Sequence, residues 1–199
     1  MKRKMLIGGE WVGGDNYFDL FNPFDGSLIA QIPAGSAQEV SRAVTSALRG
    51  FREICGLPPH RRADILLNMS RLLMENKEKV AHTITVESGK PLKYSLGEVD
   101  RAAETFRFAS EEAKRIHGET IPMGASKGSE NRVAFYERFP LGVIGAITPF
   151  NFPVNLVAHK AAPAIAAGNA LVLKPGEQTP LSALLLGELL LEAGLPPEA

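Results

Sequence analysis

From Phe139 to Pro180 the chain reads FPLGVIGAITPFNFPVNLVAHKAAPAIAAGNALVLKPGEQTP, and few folds accommodate that order of signals. Leu141 to Ile147 is an uninterrupted apolar run, the pattern of a strand buried on both faces. Thr148-Pro149-Phe150-Asn151-Phe152-Pro153 is a sharp turn, stiffened by a proline on either side of Asn151. Pro153 suits a first helical turn, where a missing N–H costs nothing. An alanine-rich helix follows, with a kink expected at Pro163, and closes at Gly168-Asn169. Ala170 to Lys174 is a second apolar strand. Strand, helix and strand in this order make the repeating unit of a parallel α/β sheet. Ligands of open parallel sheets lie beyond the carboxyl ends of the strands. Here those ends carry Asn151 on one side, and Lys174 with Glu177 on the other.

The residues ahead of this unit supply helices and small strands. Met5 to Ile7 and Trp11-Val12 flank Gly8-Gly9, a hairpin signal. Phe18 to Phe21 and Ser27 to Ile32 are further short strands, expected to pack on the edge of the domain. Ser36 stands three residues before Glu39, the capping-box spacing, and opens a first helix. Val40, Ala43, Val44, Ala47, Leu48 and Phe51 form its expected apolar face. Gly56 and Pro58-Pro59 end it, with Cys55 expected as a small buried residue there. Arg61 to Asn76 is a second helix, continued or restarted over Lys77 to Ser88 and stopped by Gly89 and Pro91. A third runs from about Lys93 to His117. Glu119 to Phe139 reads as two strands around a polar turn, either an arm lying on a neighbouring subunit or an ordinary surface hairpin. Thr179 is the expected N-cap of a last helix, Pro180 to Ala193.

Composition removes several function classes. The 199 residues carry 22 basic and 22 acidic side chains, a balance that gives no nucleic-acid or polybasic membrane surface. One cysteine permits no internal disulfide, and with no secretory leader or membrane span the expected location is cytoplasmic. His60, His82, His117 and His159 lack metal-ligand spacing, so no metal site is expected.

The chemistry-bearing residues remain ambiguous on their own. No G-x-G-x-x-G follows the first strand, which disfavours the usual pyrophosphate cradle. Asn151 either donates its amide to an oxygen that becomes negative in a transition state, or bonds its own turn and caps the helix. Lys174-Pro175-Gly176-Glu177 either meets the ribose of a dinucleotide or is a solvated loop.

The segment from Ile147 to Pro197, together with ESGKP at Glu87 to Pro91 and RFPLGV at Arg138 to Val143, resembles the aldehyde dehydrogenase superfamily closely. The resemblance implies an α/β fold: part of a parallel-sheet, Rossmann-like cofactor domain over 1–118 and 139–199. Residues 119–138 would be a protruding oligomerisation hairpin, used in a homodimer or homotetramer. It implies oxidation of an aldehyde to an acid or acyl product with NAD or NADP, through a cysteine nucleophile and a glutamate. By motif match Asn151 is the oxyanion donor. Ile147, Thr148, Pro149, Phe150 and Asn151 line the cofactor, as do Lys174, Pro175, Gly176 and Glu177. Lys174 and Glu177 meet the adenosine ribose, and Glu177, able to accept from a free 2′-hydroxyl, leans toward NAD.

The chain stops at Ala199, before the family's nucleophile, and Cys55 matches no family nucleophile. The expectation is the front portion of such an enzyme, lacking the catalytic domain and inactive by itself. A non-catalytic nucleotide-binding or assembly module built from the same half-domain is the alternative. Leu181, Leu184, Leu185, Leu186, Leu189, Leu190 and Leu191 wrap most of the last helix, which predicts that one side of it lacks cover.

Overall fold

The computed structural model describes residues Met1 to Ala199. Four two-stranded sheets and six α-helices make it up: four strands, four helices, three strands, and then a helix, a strand and a last helix. β1 (Met5–Ile7) and β2 (Glu10–Val12) pair antiparallel across Gly8 and Gly9, whose φ angles of 61° and 76° give a turn that suits glycine. β3 (Tyr17–Phe21) and β4 (Leu28–Pro33) form a second antiparallel pair with a bulge at Leu20/Phe21. Its inward residues Leu20, Ala30 and Ile32 make a small satellite core.

The helices build the main core. α1 (Ala37–Gly56) starts at the expected capping box, with both reciprocal bonds between Ser36 and Glu39 present. Its buried face is Ala47, Gly50 and Ile54, with Ser46 beside them. Of the expected stripe, Ala47 is buried and Ala43 and Phe51 are half-buried, while Val40, Val44 and Leu48 are exposed. Small residues let α1 lie close to its neighbours, so Ala and Gly line the contact in place of the larger side chains. Cys55 is exposed too, on the last turn of α1, where the apolar residue that packs is Ile54. α2 (Pro59–Glu75) and α3 (Lys77–Ser88) are separate helices, meeting at Asn76. Gly89 closes α3 in the left-handed conformation, φ 72°. α4 (Leu92–Ala113) is four residues shorter at its end than His117.

β5 (Glu119–Ile121) and β6 (Ala134–Tyr136) are the two short strands of the hairpin, paired antiparallel. Val133 and Phe135 are exposed on it. A Cβ at Gly118 would overlap the Tyr136 backbone carbonyl. Gly118→Ala is therefore expected to cost about 1–3 kcal/mol of hairpin closure. Amide exchange should quicken in β5 and β6 and stay unchanged in α2; equal protection in the variant would refute the clash.

β7 (Val143–Ile147), α5 (Asn155–Ala166) and β8 (Ala170–Lys174) are the strand–helix–strand unit, with β7 and β8 parallel and Ile147 opposite Lys174. α5 starts after Pro153, which lies in the preceding turn, and contains Pro163. The unit departs from expectation in its cover. β7 begins at Val143, and Leu141 and Ile147 are 89% and 76% exposed. A two-stranded sheet with helices packed against part of it leaves the rest of its apolar surface in solvent.

α6 (Pro180–Glu192) corrects a second expectation. None of its seven leucines is exposed, because α2, α3 and β1 pack around it. Phe139, Leu141, Ile147 and Phe150 are among the apolar side chains left exposed elsewhere. The main core joins α2, α4, α5 and α6 through Leu66, Met69, Phe106, Ile165 and Leu186, all at or near zero exposure.

Candidate functional site

The carboxyl ends of β7 and β8 lie side by side. The Thr148 N–H donates to the Lys174 carbonyl at 3.2 Å, extending the ladder by one bond. A Cβ placed on Gly176 would lie 3.2 Å from the Phe150 backbone, so the two following loops touch. The rim thus gathers Ile147, Thr148, Pro149, Phe150 and Asn151 from one loop, and Lys174, Pro175, Gly176 and Glu177 from the other. Thr148 is buried; Ile147, Pro149, Phe150, Asn151, Lys174 and Glu177 are exposed. Lys174 Nζ donates to Glu177 Oε1 at 3.1 Å across the rim. Both partners are solvated, so this pair adds little stability and is free to exchange partners.

Asn151 enters the network through its backbone carbonyl, which accepts from Lys90 Nζ at 2.8 Å. Its side chain does not cap α5. That task belongs to Glu98 of α4, whose Oε1 accepts from the Val154 and Asn155 N–H groups at 2.9 and 3.1 Å. Glu98 is fully buried and its other oxygen pairs with Lys90. Thr179, the expected cap of α6, makes no capping bond and its hydroxyl is buried without a partner. Glu87 of α3 caps α6 instead, accepting from Leu181 N–H at 2.7 Å and Ser182 N–H at 3.0 Å. Both helices that follow the strands therefore start on a buried glutamate from another helix. An anion such as a pyrophosphate finds neither N-terminus open.

Sequence reading missed Glu87, Lys90 and Glu98 in these roles. All three stand in helical or loop segments far from 151 in the chain, and only folding brings their charges to the helix starts. The one available signal was their position: Glu87 and Glu98 fall on faces of α3 and α4 that otherwise bury apolar residues. A cleft of about 420 Å³ adjoins the loop, lined by Asp100, Arg101, Glu104, Thr105, Phe108, Asn155 and His159. Arg101 also stacks on Phe152, 4.9 Å from the ring centre.

Burial pushes the Glu87 carboxyl up to about 7, against the pull of the two backbone N–H groups, and the charge of Glu98 acts in the same direction as burial. A carboxyl whose folded value exceeds its unfolded one contributes fully below its unfolded value of 4.5 and loses that contribution as pH rises through about 7. Asp25, Glu39, Glu104, Glu130 and Glu198 shift the opposite way through hydrogen bonds, so their contributions fade only in more acid solution. Between about pH 5 and 8 the wild type should lose about 2–3 kcal/mol relative to Glu87→Gln. Denaturant unfolding across that range checks it; a pH-independent difference between the two would exclude Glu87 as the source.

The family model for the aldehyde dehydrogenase family matches residues 11–199. The chain belongs to the aldehyde dehydrogenase family. Among its relatives is a 3-sulfolactaldehyde dehydrogenase of Priestia aryabhattai, 44% identical over 96% of this chain and 40% of that protein. The NADP(+) succinate-semialdehyde dehydrogenase of Escherichia coli is 40% identical over 98% of this chain and 40% of its own length. The NADP-dependent glyceraldehyde-3-phosphate dehydrogenase of Bacillus halodurans, solved with NADP, superposes with a TM-score of 0.94 at 39% identity, covering 98% of this chain and 42% of the other. This aldehyde dehydrogenase chain spans about 40% of the length of the relatives it matches. In it, no helix is long and apolar enough to cross a membrane.

Proposed function

We propose that this chain supplies the dinucleotide-facing rim and the oxyanion donor of an NAD(P)-dependent dehydrogenase that oxidises an aldehyde to an acid or acyl product. The observation that carries the reading is the free, exposed amide of Asn151, held by its backbone beside the Lys174–Glu177 pair at the carboxyl ends of two parallel strands. In this reading the amide N–H₂ donates to the aldehyde oxygen as negative charge develops there. When bound, the nicotinamide would supply the hydride acceptor. Lys174 and Glu177, paired only with each other, exchange that contact for the ribose hydroxyls. The starts of α5 and α6, filled by Glu98 and Glu87, would not hold the cofactor's phosphates. The cleft beside α4 takes the remainder of the aldehyde, with Arg101 and His159 on its wall.

Cys55 is not the nucleophile in this scheme. It neighbours Arg62, which bonds the Ala166 carbonyl at the far end of α5 from Asn151. The 12 residues of α5 span about 18 Å. The nucleophile of this scheme would therefore come from outside these 199 residues, as would the glutamate that the family resemblance implies. The hairpin 119–138 is the contact between subunits, its exposed Val133 and Phe135 being covered in a dimer or tetramer.

Glu177 favours NAD, while two of the relatives are named for NADP. Titrating both cofactors against wild type and Glu177→Gln tests the assignment: NAD affinity should fall about 3–10-fold and NADP affinity change less. Equal effects on the two cofactors would remove Glu177 from the 2′ position.

A further inference from the structure

We infer that Lys90 and Glu98 are positioning residues that preset the Asn151 amide, an inference resting on the oxyanion reading above. Five contacts converge on residues 151–155. Lys90 Nζ donates to the Asn151 carbonyl at 2.8 Å. The same ammonium lies over the Phe152 ring, 4.2 Å from its centre, and Arg101 lies 4.9 Å from that centre. Glu98 accepts from the Val154 and Asn155 N–H groups. Lys90 and Glu98 are joined to each other, with side-chain exposures of 16% and 0%.

The physical consequence is a loop fixed from both ends. The carbonyl of Asn151 is tied down on one side of its Cα, and the helix start three residues later is tied on the other. Pro153, buried between them, removes further backbone freedom. The side-chain amide has no bond of its own within the chain, so the backbone fixes its Cα–Cβ direction and leaves rotation about two side-chain bonds. A donor serves a developing oxyanion only if it needs no reorganisation when the charge appears. The ammonium on the 151 carbonyl and the carboxylate on the helix start are what remove the backbone part of that reorganisation here. Lys90 and Glu98 bond the backbone of residues 151 to 155, so both act through the placement of Asn151.

Lys90→Met keeps the stem and removes the charge, but strands a buried carboxylate. Lys90→Met/Glu98→Gln removes both charges and keeps an acceptor for the helix start, so it separates loss of the clamp from loss of the fold. In the 199-residue chain, NMR of the double variant is expected to show displaced side-chain amide signals for Asn151. Amide exchange at Val154 and Asn155 should quicken at least about tenfold, with β3 and β4 unchanged. In the full-length dehydrogenase the double variant should lower kcat by about 10–100-fold with KM altered less than about threefold. Introduced beside Asn151→Ala, it should cost less than about a further threefold. Unchanged Asn151 signals and exchange would overturn the proposal. So would the same loss of kcat in the presence and absence of Asn151. If Asn151→Ala itself leaves kcat intact, the oxyanion reading fails, and the NMR and exchange results alone decide whether the clamp exists.

Discussion

On the oxyanion reading proposed above, Asn151→Ala in a dehydrogenase containing this chain is expected to lower kcat by about 10²–10³-fold while leaving cofactor affinity little changed. The size follows from what the amide is asked to do. A preorganised donor aimed at a developing oxyanion is worth roughly 3–4 kcal/mol, and that interaction strengthens only as charge moves onto the oxygen. The loss should therefore appear in kcat more than in KM. The structure makes the variant a clean one. Asn151 is exposed, its side chain bonds nothing in the chain, and its backbone is held by Lys90, so alanine there should leave the fold intact. An unchanged thermal midpoint alongside the kinetic loss is part of the expected result. Unaltered turnover would take Asn151 out of the chemistry and return it to turn formation.

Glu98→Ala is expected to destabilise the chain by about 3–5 kcal/mol in denaturant unfolding. The carboxylate is fully buried and satisfies three donors: Lys90, Val154 N–H and Asn155 N–H. Removing it leaves an ammonium that is only 16% exposed without its anion, and two helix-start N–H groups without an acceptor. Removing one partner of a buried pair costs far more than the intact pair contributes relative to an apolar replacement. The contrast is Glu177→Ala, which breaks an ion pair with 59% and 76% exposed side chains and should change stability by less than about 1 kcal/mol. A Glu98→Ala variant as stable as Glu177→Ala would mean that water or relaxation replaces the lost carboxylate, and the clamp on the 151 loop would lose its physical basis.

The two variants probe different levels of the same site, and they differ in how far sequence foretold them. Asn151, Lys174 and Glu177 were legible because local signals placed them. An apolar run, a proline-bounded turn and a glycine-closed helix determine where two strands end, and parallel pairing brings their ends together. β7 and β8 pair in that way, with Ile147 opposite Lys174. The start of α1 was equally local, because Ser36 and Glu39 are three residues apart and bond each other.

Burial was less legible. Periodicity in α1 suggested an inward stripe of Val40, Ala43, Val44, Ala47, Leu48 and Phe51; Ala47 is buried, but Val40, Val44 and Leu48 are exposed, and Gly50 and Ile54 are buried in their place. Periodicity finds an apolar face but does not know the depth of the neighbour it meets. α6 erred the other way: its leucines surround it, and α2, α3 and β1 surround them. Cys55 shows the same limit, one residue beyond the buried Ile54 and exposed.

Sequence alone determined the strand–helix–strand order, the family and the loops at the sheet's rim, because each depends on residues within one segment. Tertiary structure alone decided that Glu98 and Glu87 start α5 and α6, and that Lys90 holds the carbonyl of Asn151. A buried charge must find its partner wherever the fold supplies one. Those partners lie 56 to 95 residues away in the chain, beyond the reach of any local pattern.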